Sequence, residues 1–139
     1  MFILDTNVIS EVMDVEGASH VIAWIDAVPK HDLFTTALNY AEIWYGIAVR
    51  EEGRKKRQLV ARAEAMFEEE FRGRILPFDE SAALHFADIS AWRQRLGRRI
   101  GIVDTQIGAI ARANGMTVVT RNVSHFQDCD VPVVNPWGA

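Results

Sequence analysis

The stretch IVDTQIGAIARANGMTVVT, residues 102–120, joins a helix to a strand through one glycine. Residues 102–114 read as a helix, Gly115 supplies the left-handed C-cap, and Thr117-Val118-Val119-Thr120 is a β-branched strand. The same alternation continues outward in both directions. Upstream, Asp79 caps a helix through Ala83, Leu84, Phe86, Ala87, Ile89 and Trp92 that ends near Gly97, behind an extended link at Ile75-Leu76-Pro77-Phe78. Residues 53–74 carry Leu59, Val60, Ala63, Met66, Phe67 and Phe71 on one side of a long amphipathic helix. Before it, Leu33-Phe34-Thr35 reads as a strand, Thr36 as the cap of the next helix, and Gly53 as the end of that helix. Residues 18–27 form a helix that Pro29-Lys30-His31-Asp32 breaks. At the start, Phe2-Ile3-Leu4 is a short buried strand, and Asp5, Thr6 and Asn7 are all good caps for a helix through Val8, Ile9 and Val12. Beyond Thr120 come a loop or single turn to Phe126 and a last extended piece at Val131-Pro132-Val133-Val134.

Short strands separated by helices predict an α/β fold with a parallel, helix-covered central sheet. No repeat, linker or composition break divides the chain, so residues 1–139 are expected to form one domain. Hydrophobic residues make up 49% and charged ones 24%, and four Trp and seven Phe supply bulky area for a core. The net charge of −4 argues against a wholly basic nucleic-acid coat but leaves room for a local basic groove. Cys129 is the only cysteine, so no internal disulfide forms and a reducing compartment is expected. A charge at residue 5 and no basic leader argue against a signal peptide, and no apolar run approaches the roughly 20 residues of a membrane span. A cytoplasmic location without membrane attachment is the expectation.

Three acids stand out. Asp5 follows a strand, Asp104 opens a helix, and both fit the carboxyl-end address where open α/β sheets build their sites. Each also suits a plain helix start, as an N-cap or a first-turn acid facing the helix dipole. Glu42 lies among Ala41, Ile43 and Trp44, where an ionised carboxylate is costly to bury without a metal or an Arg partner. Converging carboxylates repel one another unless a cation or proton lies between them, and oxygen ligands favour hard divalent ions. Such an ion activates water and steadies charge on a phosphate, so three acids without a His or Cys cluster suggest metal-dependent phosphodiester chemistry. A G-x-S-x-G elbow, a G-x-G-x-x-G turn and a phosphate-binding G-x-x-x-x-G-K-[ST] loop are all missing. An aspartyl-phosphate phosphatase is disfavoured because position 7 is Asn where a D-x-D start needs Asp.

The segments FILDTNVISE, LNYAEIWYGI, IGIVDTQIGAIA and VVTRNVSHF, in that order, and the terminal NPW together resemble the PIN-domain family over nearly the whole chain. They are most similar to its VapC/FitB-type toxin ribonucleases of bacterial toxin–antitoxin pairs. The resemblance implies an α/β/α sandwich and an endoribonuclease that uses Mg²⁺ or Mn²⁺ on an RNA substrate. It also implies a homodimer inhibited by a cognate antitoxin, and a larger complex with that antitoxin on operator DNA. Asp5, Glu42 and Asp104 match the family's acidic metal positions: Asp5 and Asp104 bind the metal directly or through water, and Glu42 helps hold the water. The chain departs from the pattern where relatives carry a fourth acid, having Asn122 and His125 in the segment Thr120–Phe126. This departure keeps open a second reading, a weak or inactive PIN-fold binding module that acts with an antitoxin as a DNA-bound regulator. Thr6 and Thr120 would hydrogen-bond the carboxylates, and Asn122 offers a carbonyl oxygen without charge. His125 is either a proton donor or phosphate contact, or a plain loop residue.

Two basic clusters could face RNA. Arg54-Lys55-Lys56-Arg57 starts a helix, where the dipole disfavours cations, and is either a solvated face or a contact for RNA or antitoxin. Arg93, Arg95, Arg98 and Arg99 precede the Asp104 segment and are the stronger phosphate candidates, and Arg121 is a further candidate RNA contact. Trp24, Trp44 and Trp92 fall on apolar helix faces, as core or dimer interface.

Overall fold

The computed structural model describes residues 1–14, 16–99 and 101–138. Five short strands form its sheet: β1 (Phe2–Leu4), β2 (Leu33–Thr36), β3 (Ile75–Leu76), β4 (Thr117–Val119) and β5 (Val133–Val134). Their order is β3-β2-β1-β4-β5, and every neighbouring pair is parallel. β1 is therefore the middle strand, with Leu4 opposite Val119 of β4 and Ile3 opposite Phe34 of β2.

Successive strand residues point to opposite faces, and each face has its own core. Leu4, Leu33 and Val119 pack under α1 (Thr6–Met13), α2 (Ser19–Asp26), α3 (Ala37–Ala48) and α4 (Arg54–Glu70). Ile3 and Val118 pack on the other side with Ile89 of α5 (Glu80–Leu96) and Ile107 and Ile110 of α6 (Ile102–Asn114). This is the expected three-layer α/β/α arrangement. Apolar residues adjacent in the strands serve different layers, which is why both flanks of the sheet are helix-covered.

Most of the expected helix ends hold. Thr36 and Asp79 cap α3 and α5 through side-chain bonds to the Asn39 and Ala82 amides, and Gly97 and Gly115 close α5 and α6 with φ of 70° and 63°. Gly53 is a correction. α3 stops at Ala48, where Lys56 Nζ reaches back to the Ala48 and Arg50 carbonyls, and Gly53 instead opens α4 with φ 152°. Lys56 is thereby spent on capping a helix end, the placement the dipole favours. Among the tryptophans, Trp24 packs edge-on against Phe2 and Trp44 lies beside Phe67 in the first core, whereas Trp92 is 48% exposed. No helix among the described residues is long and apolar enough to cross a membrane.

Candidate active site

Asp5 is the first residue beyond the middle strand. Its backbone N–H continues the sheet by donating to the Val119 carbonyl at 2.9 Å, while its carbonyl accepts from the first helical amides of α1. The chain thus turns from strand to helix at this residue, which is only 4% exposed, with its side chain set among Thr6, Asn39 and Thr120. Four groups meet the carboxylate. Oδ1 accepts from the Thr6 amide (2.9 Å) and Asn39 Nδ2 (3.0 Å), and Oδ2 accepts from the Thr120 hydroxyl (2.7 Å), with Asn7 Nδ2 at 3.5 Å.

These donors are themselves held. The Thr36 hydroxyl donates to Asn39 Oδ1 at 2.6 Å, which leaves the Asn39 amide nitrogen facing Asp5 and Thr6. Thr120 Oγ1 accepts from the Asn122 backbone N–H at 3.0 Å and from Asn7 Nδ2 at 3.3 Å. Asn7, a cap candidate by sequence, instead donates to Asp5 and Thr120, and Asn39 is a site residue not singled out from the sequence. The available signal was spacing: Asn39 lies three residues before Glu42, so one helix face presents both.

Glu42 corrects the expectation of a carboxylate buried among apolar neighbours. Ile43 and Ile47 turn inward, while the Glu42 residue is exposed and its Oε1 accepts from the Thr6 hydroxyl at 2.8 Å. The carboxyl end leans into the cleft. There, partial burial raises its pKa, the Thr6 bond offsets part of this, and the charges of Asp5 and Asp104 raise it further. Asp5 is raised as well, by burial first; its Thr120 and Thr6 bonds oppose that, and the Asp104 charge adds to it. Asp104, half-buried on the first turn of α6, bonds through Oδ2 to His125 Nδ1 at 2.8 Å. Asp5 at the start of α1, Glu42 midway along α3 and Asp104 in the first turn of α6 therefore lie near enough for the charge of Asp104 to act on both of the others. Among the described residues, however, no three His, Cys, Asp or Glu side chains are placed to hold one ion between them.

The PIN domain family model matches residues 2–130. The chain belongs to the PIN domain family. Toxin FitB of Neisseria gonorrhoeae is 39% identical over 137 residues, covering 99% of both chains. The VapC ribonuclease Y4jK of Sinorhizobium fredii is 38% identical over 137 residues, covering 99% of this chain and 98% of that protein. A solved structure of FitAB bound to an IR36 DNA fragment matches with a TM-score of 0.93 and 40% identity, covering 100% of this chain and 97% of that one.

The basic residues of this PIN domain do not gather as the sequence suggests. Arg93 is 3% exposed and enclosed by Thr105, the His125 carbonyl and Cys129, so it is not an RNA contact. Arg95 lies over the Trp92 ring, facing a cavity with Asp88 and Arg112 that holds none of the three acids. Arg98 is paired with Asp128 at 2.8 Å, and Arg99 is exposed near the start of α6. Arg121 stacks on Trp137 with its guanidinium carbon 4.2 Å from the ring centre, and its backbone N–H donates to Asn7 Oδ1. A groove between α1, α3 and α4 reaches Glu42, though Asp5 and Asp104 do not line it, and it takes in Lys55 of the expected Arg54–Arg57 cluster. It encloses about 560 Å³ and is lined by Thr6, Glu42, Arg50, Lys55 and Arg62. Asn122 joins the site through its backbone N–H, and Cys129 is buried with its thiol pushed up by burial, so it offers no nucleophile.

Proposed function

We propose that this chain is the toxin component of a toxin–antitoxin pair and an endoribonuclease that uses Mg²⁺ or Mn²⁺ to hydrolyse RNA phosphodiester bonds. The observation that carries the reading is Asp5. A carboxylate held at the end of the middle strand by four donors, yet pushed toward neutrality by burial and by Asp104, is a site that a cation would relieve. The names of FitB and Y4jK, a toxin and a ribonuclease, point the same way.

The donor set fits a hard ion. It consists of carboxylate oxygens, and Mg²⁺ commonly keeps several of its waters while binding through one or two carboxylates, so an enclosing cage of three acids is not required. In this reading Asp5 and Asp104 hold the ion, directly or through water. Such an ion lowers the pKa of a bound water and steadies charge on the phosphate being cleaved. Glu42, itself bonded by Thr6, orients the attacking water, while Thr6, Thr120 and Asn39 keep the carboxylates in place. His125, tied to Asp104, faces the phosphate or the leaving oxygen, and Asn122 shapes the turn beside it.

Three acids alone would repel RNA, and the Arg50, Lys55 and Arg62 groove supplies the opposing charge, with Arg121 and Arg99 on the other flanks. A cognate antitoxin is the proposed inhibitor. The exposed apolar side chains Leu84, Trp92, Leu96 and Ile102 on α5 and α6 are suited to a homodimer contact.

Asp5→Asn and Asp104→Asn are expected to abolish RNA cleavage in Mg²⁺ or Mn²⁺ while the protein stays folded by circular dichroism, and EDTA is expected to silence the wild type. Full activity in either folded variant would sink the assignment. A second reading, a PIN-fold module that acts with its antitoxin on operator DNA without cutting RNA, is favoured by Asn122 standing where relatives carry an acid and by the DNA-bound FitAB structure. A wild type that binds operator DNA with its antitoxin but leaves RNA intact in either metal would select it.

A further inference from the structure

Arg93 is a buried cation that the proposed chemistry does not use. It projects from α5 into the second core, where desolvating a guanidinium is expensive unless its donors are matched. Its Nη1 donates to the Thr105 hydroxyl, and its Nη2 donates to the His125 carbonyl at 2.7 Å and meets Cys129 Sγ at 3.3 Å. Nε lies 3.8 Å from Asp128 Oδ2, an ion pair without a hydrogen bond, and Asp128 is shared with Arg98. The acceptors come from two separate segments. Thr105 follows Asp104 in the first turn of α6, where its hydroxyl also bonds the Gly101 carbonyl, and His125 belongs to the turn at Val123–Cys129. These segments carry the two partners of the 2.8 Å contact between Asp104 and His125.

We infer that Arg93 is a positioning residue: by holding Thr105 and the His125 backbone on one planar fork, it sets the Asp104–His125 contact and so the place of Asp104 opposite Asp5. An arginine suits the task because its donors diverge at a fixed angle and bridge two acceptors at once. A lysine keeps the charge, but its donors radiate from one nitrogen and lack the fixed separation of the guanidinium's two amino groups. The inference rests on the proposed reading that Asp104 and His125 belong to the working site.

The test uses Arg93→Lys and, should that variant fold poorly, Thr105→Val, which removes one of the two acceptors with little change in volume. Two readouts are taken on the full chain. In RNA cleavage, each folded variant is expected to lose about 10- to 100-fold in kcat with KM unchanged, the scale seen for groups that support a site from behind. In nitrogen NMR of histidine-labelled, metal-free protein, the His125 Nδ1 resonance, assigned with His125→Gln, is expected to leave its hydrogen-bonded position in both variants. A folded variant that keeps the wild-type kcat and the wild-type His125 resonance overturns the inference. If the wild type cleaves no RNA, the proposed function fails, and the NMR readout alone still decides the role of Arg93: a moved resonance supports it and an unmoved one overturns it.

Discussion

Asp5 and Asp104 face the same cleft but are held in opposite ways. Asp5 is buried and met by four donors that come from α1, α3 and the end of β4, all anchored to the sheet. Asp104 is half-buried, with His125 as its side-chain partner, and its place depends on α6 and on the turn packed beneath it. One wall of the cleft is thus built by the strands, and the other by a helix resting on a loop.

The comparison can be broken from either side, beginning with the largest effect. Asp5→Asn removes the anchoring charge and is expected to abolish cleavage, a loss of at least about a thousandfold or roughly 4 kcal/mol of transition-state stabilisation. Glu42→Gln, which keeps its acceptor for Thr6, is expected to cost only about tenfold. Comparable losses measured side by side under single-turnover conditions would erase the distinction drawn between an anchor and a water-orienting group. Thr120→Val deletes the shortest bond to Asp5 and leaves Oδ2 less satisfied; cleavage is expected to fall about 10- to 100-fold, with stability lowered by about 1–3 kcal/mol in urea titration.

The other wall is sensitive at Gly108. A Cβ there would stand 2.4 Å from Cys129 Sγ, so α6 and the Val123–Cys129 turn can approach each other only because this residue has no side chain. Gly108→Ala is expected to destabilise the fold by about 1–3 kcal/mol in urea titration, and an unchanged midpoint would show that the turn moves aside freely.

The smallest effect is one of pH, measured without metal. The folded state raises the Asp5 pKa above its ordinary 3.8, so the stability this group contributes is fully present below that value and is lost as pH rises through its folded pKa. Asp5→Asn cannot ionise. In EDTA its melting temperature is therefore expected to exceed that of the wild type at about pH 7, and the advantage is expected to shrink as pH falls below about 4. A difference that is the same at both pH values would contradict the burial of a charge at Asp5.

Strands, caps and layers were legible in the sequence because they depend on local patterns. Phe2-Ile3-Leu4, the β-branched run at Thr117–Val119 and the glycine at 115 each announce themselves within a few residues. Asp5 and Asp104 were legible as residues at strand and helix boundaries. What was hidden depends on which way a helix faces. α3 is apolar on more than one side, with Tyr45 70% exposed and Ile43 and Ile47 buried, so periodicity did not show Glu42 leaning outward or Asn39 turning in. Arg93 looked like one of four surface arginines, because a charge run carries no mark of the one member that faces the core. The groove was only partly visible for a similar reason: Lys55 stood out in its basic cluster, but Arg50 in the α3–α4 connection and Arg62 further along α4 meet it and Thr6 only in three dimensions.

In the proposed site, Asp5 and Asp104 serve one divalent ion from opposite sides. Titrating the protein with Mn²⁺ by isothermal calorimetry tests it most directly. The wild type is expected to bind Mn²⁺, and Asp5→Asn and Asp104→Asn, each folded, are both expected to lose that binding. Binding that survives unchanged in either variant, or its absence from the wild type, would contradict the account.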